Sequence, residues 1–115
     1  MRPPRSLNSD QLPVFLKKRP YSVIHLDASW DENRHIVSER MQSLATAGNE
    51  DVSFGYIDID HDQEHAKTIG ILNLPACSYY RGEQLLGTII GMNQDIAANL
   101  AAIRAGDGPN NSNRC

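Results

Sequence analysis

The chain has 115 residues, 22% charged and 40% hydrophobic, with a net charge of -3. That composition suits one domain with a core of its own, and it excludes a collagen-like or low-complexity chain and a disulfide scaffold. No stretch approaches the ~20 apolar residues of a membrane span, so a membrane is not an expected partner.

Residues 1–10 are polar, with two prolines and no apolar run, and do not read as a secretory signal. With only two cysteines, the expected setting is the cytoplasm, where thiols stay reduced. Charge is unevenly spread: Arg2, Arg5, Lys17, Lys18 and Arg19 face only Asp10 near the start, whereas Glu50, Asp51, Asp58, Asp60, Asp62 and Glu64 face only Lys67 further on. Beyond Phe15 and Tyr21 no aromatic residue interleaves with the cations. They read as a solvated arm and helix end, and nucleic acid is not an expected partner.

Residues 1–8, with Pro3-Pro4, read as a flexible arm. Ser9 and Asp10 are candidate caps of a short helix over about 11–19, with Leu12, Phe15 and Leu16 on one face. Pro20 ends it. Residues 21–28 (YSVIHLDA) form an apolar run that suits a buried central strand. Ser29 and Glu32 have capping-box spacing. The helix they would open runs to about Thr46, with Ile36, Val37, Met41, Leu44 and Ala45 at helical spacing and Gly48-Asn49 as its stop.

Residues 52–60 (VSFGYIDID) predict a second strand and 61–69 a short helix. A strand over 77–80, a turn at Arg81-Gly82-Glu83 and a strand over 85–90 predict a hairpin. Asn93 is the candidate cap of a last helix carrying Ile96, Leu100 and Ile103, which Gly106 ends. The domain is expected over 9–106, and 107–115 reads as a disordered tail. The order α-β-α-β-α-β-β-α implies an α/β fold, a central mixed sheet flanked by helices.

With these punctuation marks the chain resembles thioredoxin. The strand ends in Ala28-Ser29-Trp30, where thioredoxins have Ala-x-Trp. Tyr56-Ile57-Asp58-Ile59-Asp60 resembles the family's strand ending in Val/Ile-Asp. Ile69-Gly70-Ile71 followed by Leu74-Pro75 resembles its Gly-Ile-x-x-Ile-Pro with a cis-proline, and Gly82-Glu83 with Gly91 resembles its hairpin and rim. The resemblance covers about residues 9–105. It implies the thioredoxin-like fold, a cis bond before Pro75, and a place in cell redox homeostasis. It also implies a groove bordered by Trp30, Leu74, Pro75, Ile90 and Gly91, where an extended polypeptide partner docks.

The departure lies where the family has Cys-Gly-Pro-Cys. Those positions read Asp31, Glu32, Asn33 and Arg34. Dithiol–disulfide exchange needs a thiolate at the helix start and a second thiol beside it, so it is not expected here. His25 stands where the family has a buried aspartate that assists proton transfer.

Other chemistry is sparse. Cys77 would serve a monothiol oxidoreductase if it were exposed and its thiol acidified, with Arg81 the nearest cation in sequence; otherwise it is a small buried apolar residue. Cys115 is in the tail, too far along the chain to form a local motif with Cys77. His61-Asp62-Gln63-Glu64-His65 matches an inverted zinc-protease motif, but peptidases of that kind need a third ligand on another helix. Asp58, Asp60 and Asp62 have EF-hand spacing, with Gln63 and Ile69 where that loop needs Gly and Glu. His35 beside Asp31 and Glu32 reads as a charged surface turn. No cofactor or metal is expected. The resulting expectation is a redox-inactive thioredoxin-like module that binds a polypeptide; the alternative is a monothiol oxidoreductase using Cys77.

Overall fold

A computed structural model describes residues 5–28, 31, 34–59, 76–91 and 94–109. In chain order the elements are β1 (Arg5–Leu7), α1 (Leu12–Lys17), β2 (Tyr21–Asp27), α2 (Arg34–Thr46), β3 (Val52–Asp58), β4 (Ala76–Arg81), β5 (Gln84–Ile90) and α3 (Ile96–Arg104). The helix expected over 61–69 and the bond before Pro75 lie outside the described residues. Within the described residues no helix is long and apolar enough to cross a membrane.

The five strands form one mixed sheet in the order β1-β3-β2-β4-β5. β3 is parallel to both β1 and β2, and β4 is antiparallel to both β2 and β5. β2 is central, and its apolar run is the reason: six of its seven residues are buried, and a strand covered on both faces needs a continuous apolar sequence. Alternation along the strands divides the core. Ile24, Leu26, Ile57, Ala76 and Tyr80 face Leu7 of β1 and Leu12, Phe15 and Leu16 of α1. Val23, Phe54, Cys77 and Tyr79 face Val37 and Met41 of α2 and Ile96, Leu100 and Ile103 of α3.

Both ends of the chain differ from expectation. Within the arm expected over 1–8, Arg5–Leu7 pairs with Gly55, Tyr56 and Ile57 as the outermost strand, and Leu7 joins the core. Within the tail expected over 107–115, the Asp107 N–H bonds to the Ala102 carbonyl at 2.9 Å. Pro109 stands over Gly87, where a Cβ would lie 2.9 Å from the Pro109 Cγ.

The helix starts also differ. The expected caps Ser9 and Asp10 give way to Gln11, which makes no side-chain cap bond. The reciprocal pair forms one turn earlier: the Gln11 N–H donates to Asn8 Oδ1 at 2.9 Å and the Asn8 N–H to Gln11 Oε1 at 3.0 Å. At α3 the cap is Asp95, whose Oδ1 accepts the Ala98 N–H at 3.1 Å; Asn93 lies outside the described residues, as does the Ser29/Glu32 pair. The hairpin and the inward face of α3 are as expected.

Candidate functional site

The site expected from the sequence falls at the end of β2, the start of α2 and the end of β5. Trp30, Glu32, Asn33, Leu74, Pro75, the 61–65 motif, Asp60, Asp62 and Cys115 lie outside the described residues. Asp31, Arg34, Ile90, Gly91, His25, Cys77, His35 and Asp58 lie within them.

The chemistry at this end of β2 is an ion pair. Arg34 Nη2 donates to Asp27 Oδ2 at 2.7 Å, across the turn that joins β2 to α2. Asp27 Oδ1 accepts the Ala28 N–H at 2.8 Å, so both carboxylate oxygens are engaged. Asp31 is buried in the same turn, its N–H bonded to the Ala28 carbonyl at 3.1 Å and its own carbonyl accepting the Arg34 N–H at 3.2 Å. The bond to Asp27 and its charge raise the Arg34 guanidinium above its ordinary value, with smaller support from Asp58 and Tyr56. Arg34 therefore stays charged.

His25 lies two residues before Asp27 on β2, on the same face of the strand. It is 1% exposed, between Tyr56 of β3 and Cys77 of β4 in register. Its Nε2 has no hydrogen-bond partner among the described residues. Burial pulls the imidazole below its ordinary 6.5; the charges of Asp27 and Asp31 oppose that shift and Arg34 adds to it. At neutral pH the ring is uncharged.

Cys77 meets neither condition for a monothiol mechanism. It is 0% exposed, and burial pushes its thiol well above the ordinary value. The cation that acts on it is Arg40 of α2, not Arg81, whose Nη2 reaches the Ile103 carbonyl at 3.3 Å. His35 is exposed on α2.

On the other side, Ile90 is 43% exposed at the end of β5. It pairs in register with Ala76, the residue after Pro75, and Ala76 in turn pairs with Leu26 of β2. Gly91 has a φ of 122°, a backbone conformation that disfavours any side chain. Gln94 pins this corner. Its Nε2 donates to the Ile89 carbonyl at 2.8 Å and the Gly91 carbonyl at 2.7 Å, while its own carbonyl accepts Arg40 Nη1 at 3.1 Å. The sequence reading missed Asp27, Arg40 and Gln94. An aspartate ending an apolar strand was a signal for the first; the other two act through contacts far apart in sequence.

No protein-family model matches the chain. A stretch of 44 residues, 38% of this chain, is 41% identical to NADPH-dependent thioredoxin reductase 3 of Arabidopsis thaliana, and spans 8% of that protein's length. Solved structures cover far more. Mitochondrial thioredoxin 3 of Saccharomyces cerevisiae in its oxidised form matches 90% of this chain and 92% of its own, at 25% identity and a TM-score of 0.71. Thioredoxin f2 of Chlamydomonas reinhardtii matches 88% and 95%, at 16% identity and a TM-score of 0.75. A thioredoxin f2 solved in complex with ferredoxin:thioredoxin reductase matches 89% and 93%, at 19% identity and a TM-score of 0.73. The architecture is the thioredoxin fold, and the chain is a thioredoxin-like superfamily member. Its two cysteines, Cys77 and Cys115, form no Cys-x-x-Cys pair.

Proposed function

We propose that this chain is a thioredoxin-like module that does not run dithiol exchange and binds a polypeptide around Trp30, Leu74, Pro75, Ile90 and Gly91. The observation that carries this reading is the Asp27–Arg34 ion pair. Arg34 stands where the resemblance expects the second cysteine, and Asp31 where it expects the first. A carboxylate at a helix start suits the dipole but transfers no electrons. The names of the structural neighbours favour redox chemistry; the missing cysteine pair and the sealed Cys77 thiol weigh against it here. The exposed Ile90 edge beside a pinned Gly91 corner supports a docking surface that needs no thiol. A polypeptide partner accords with the neighbour solved in complex with ferredoxin:thioredoxin reductase. A reducing, cytoplasmic setting goes with this reading.

Trp30 is the single tryptophan of the chain and reports on the surface directly. Titrating the intact protein with reduced insulin B chain, an unfolded polypeptide, is expected to give a saturable change in Trp30 fluorescence. The change should persist in Cys77→Ser. An unchanged signal, or one that disappears with Cys77, refutes the reading.

A further inference from the structure

We infer that the outer edge of β5 is a self-association surface: two copies of this chain pair their β5 strands antiparallel about a twofold axis at Thr88. The inference goes beyond the binding reading and stands without it. Where both hold, the second copy covers Ile90 and excludes a polypeptide there.

Ladder geometry shows which way the backbone of β5 points. The Gly82 N–H donates to the Pro20 carbonyl at 2.8 Å, so on β4 the backbone groups of even-numbered residues turn toward β2 and those of Cys77 and Tyr79 turn toward β5. Their register partners Ile89 and Gly87 therefore face inward. The Ile89 and Gly91 carbonyls that Gln94 holds belong to that same inward set. Thr88 and Ile90 alternate with them and turn their N–H and carbonyl groups outward, where no described residue bonds to them.

The side chains add a symmetry. On β4, Tyr80, Ser78 and Ala76 are successive rungs on the face that α1 covers, and they pair with Leu85, Thr88 and Ile90 of β5. The register shifts once between Tyr79 and Tyr80, which brings Leu85 rather than Leu86 to that face. Leu85 and Ile90 thus stand equally far from Thr88, on either side of it. They are 40% and 43% exposed, and Val14 of α1 is the only other exposed large apolar residue among the described ones.

A twofold axis at Thr88 uses all three positions at once. It sets Thr88 opposite Thr88 as a hydrogen-bonded pair. It also sets Ile90 of each copy opposite Leu85 of the other, on one face, with Cβ atoms about 5 Å apart. An isologous interface needs such a self-complementary pattern. An unrelated extended peptide does not need two apolar residues placed evenly about one threonine; a second copy does. Charge agrees with this choice. Gln84–Ile90 contains no charged residue and no proline, so no like charges meet across the axis and no outward donor is missing. The opposite edge, β1, is three residues long and begins at Arg5, and shortness and charge are common ways of blunting an edge.

The test is sedimentation equilibrium of the full chain under reducing conditions across a concentration series, with amide exchange at Thr88 followed by NMR. The mass should rise reversibly from that of one chain to that of two and stop there, and protection of the Thr88 amide should rise with it. Thr88→Lys and Thr88→Glu each bring like charges together at the axis, and each should raise the dissociation constant at least about tenfold. Mixing the two variants should restore the dimer, a result that loss of folding cannot produce. Val14→Lys, at the exposed apolar residue of α1, should dimerise as the parent does. A single-chain mass at every concentration, growth beyond two chains, or a mixture of the charged variants that stays monomeric overturns the proposal. So does a Thr88 amide whose protection is independent of concentration, which would mean that another part of the same chain covers the edge. That last comparison is made on the parent protein and stands even where a variant does not fold.

Discussion

His25 is a titratable ring in the middle of a central strand, and its sealing gives stability a direction in pH. Its folded value lies below the ordinary 6.5 because burial disfavours the charged ring. The unfolded chain therefore takes up the proton first. The sign follows: the stability associated with neutral His25 is complete above 6.5 and is progressively lost as the pH falls below it. Urea unfolding from pH 7.5 to pH 5 should show a midpoint that declines through this window, and His25→Gln should flatten that part of the decline. Equal declines in both proteins would show that other groups are responsible. Asp27 illustrates why a sequence reads incompletely at this scale. Its partner Arg34 lies seven residues on, across a turn, so no strand or helix period links the two.

At the scale of elements, Pro109 stands close to Gly87 of β5 in the β4–β5 hairpin. Pro109 occupies the space a Cβ on Gly87 would need, at 2.9 Å. Gly87→Ala is therefore expected to displace Pro109 and lower stability by about 1 kcal/mol, a magnitude usual for a strained small-to-large change. Adding Pro109→Ala should restore most of the loss in thermal melting. A double variant as unstable as the single would place the strain elsewhere. Elements with a strong internal pattern were legible in the sequence: the apolar run of β2, the Ile96, Leu100, Ile103 spacing of α3 and the turn at Gly82. β1 was not, because three residues carry no period and its pairing is decided by β3, some fifty residues away. The α3 cap is expected at Asn93 and lies at Asp95 for a similar reason: both residue types can cap, and the backbone decides which does. Of the candidate site, Ile90 and Gly91 enter only as what the resemblance implies, and the Gln94–Arg40 contact beside them is a tertiary contact that no local pattern announces.

At the scale of the whole molecule, the two apolar layers on either face of the sheet determine whether the site has a platform at all. Leu100 is fully buried in the layer with Val37, Tyr79 and Ile103. Leu100→Ala should lower the unfolding free energy by about 2–5 kcal/mol, measured by urea denaturation, a large share of the stability usual for a domain of this size. A loss below ~1 kcal/mol would mean that the layer repacks around the cavity. The central claim is that this thioredoxin fold operates without thiol chemistry, because the expected cysteine positions hold Asp31 and Arg34 and the thiol of Cys77 is sealed. Its most direct test is dithiothreitol-driven reduction of insulin disulfides by the intact protein beside Cys77→Ser. The account predicts that both proceed at the rate of dithiothreitol alone. Acceleration by the intact protein that is lost in Cys77→Ser would contradict it and identify Cys77 as a working nucleophile.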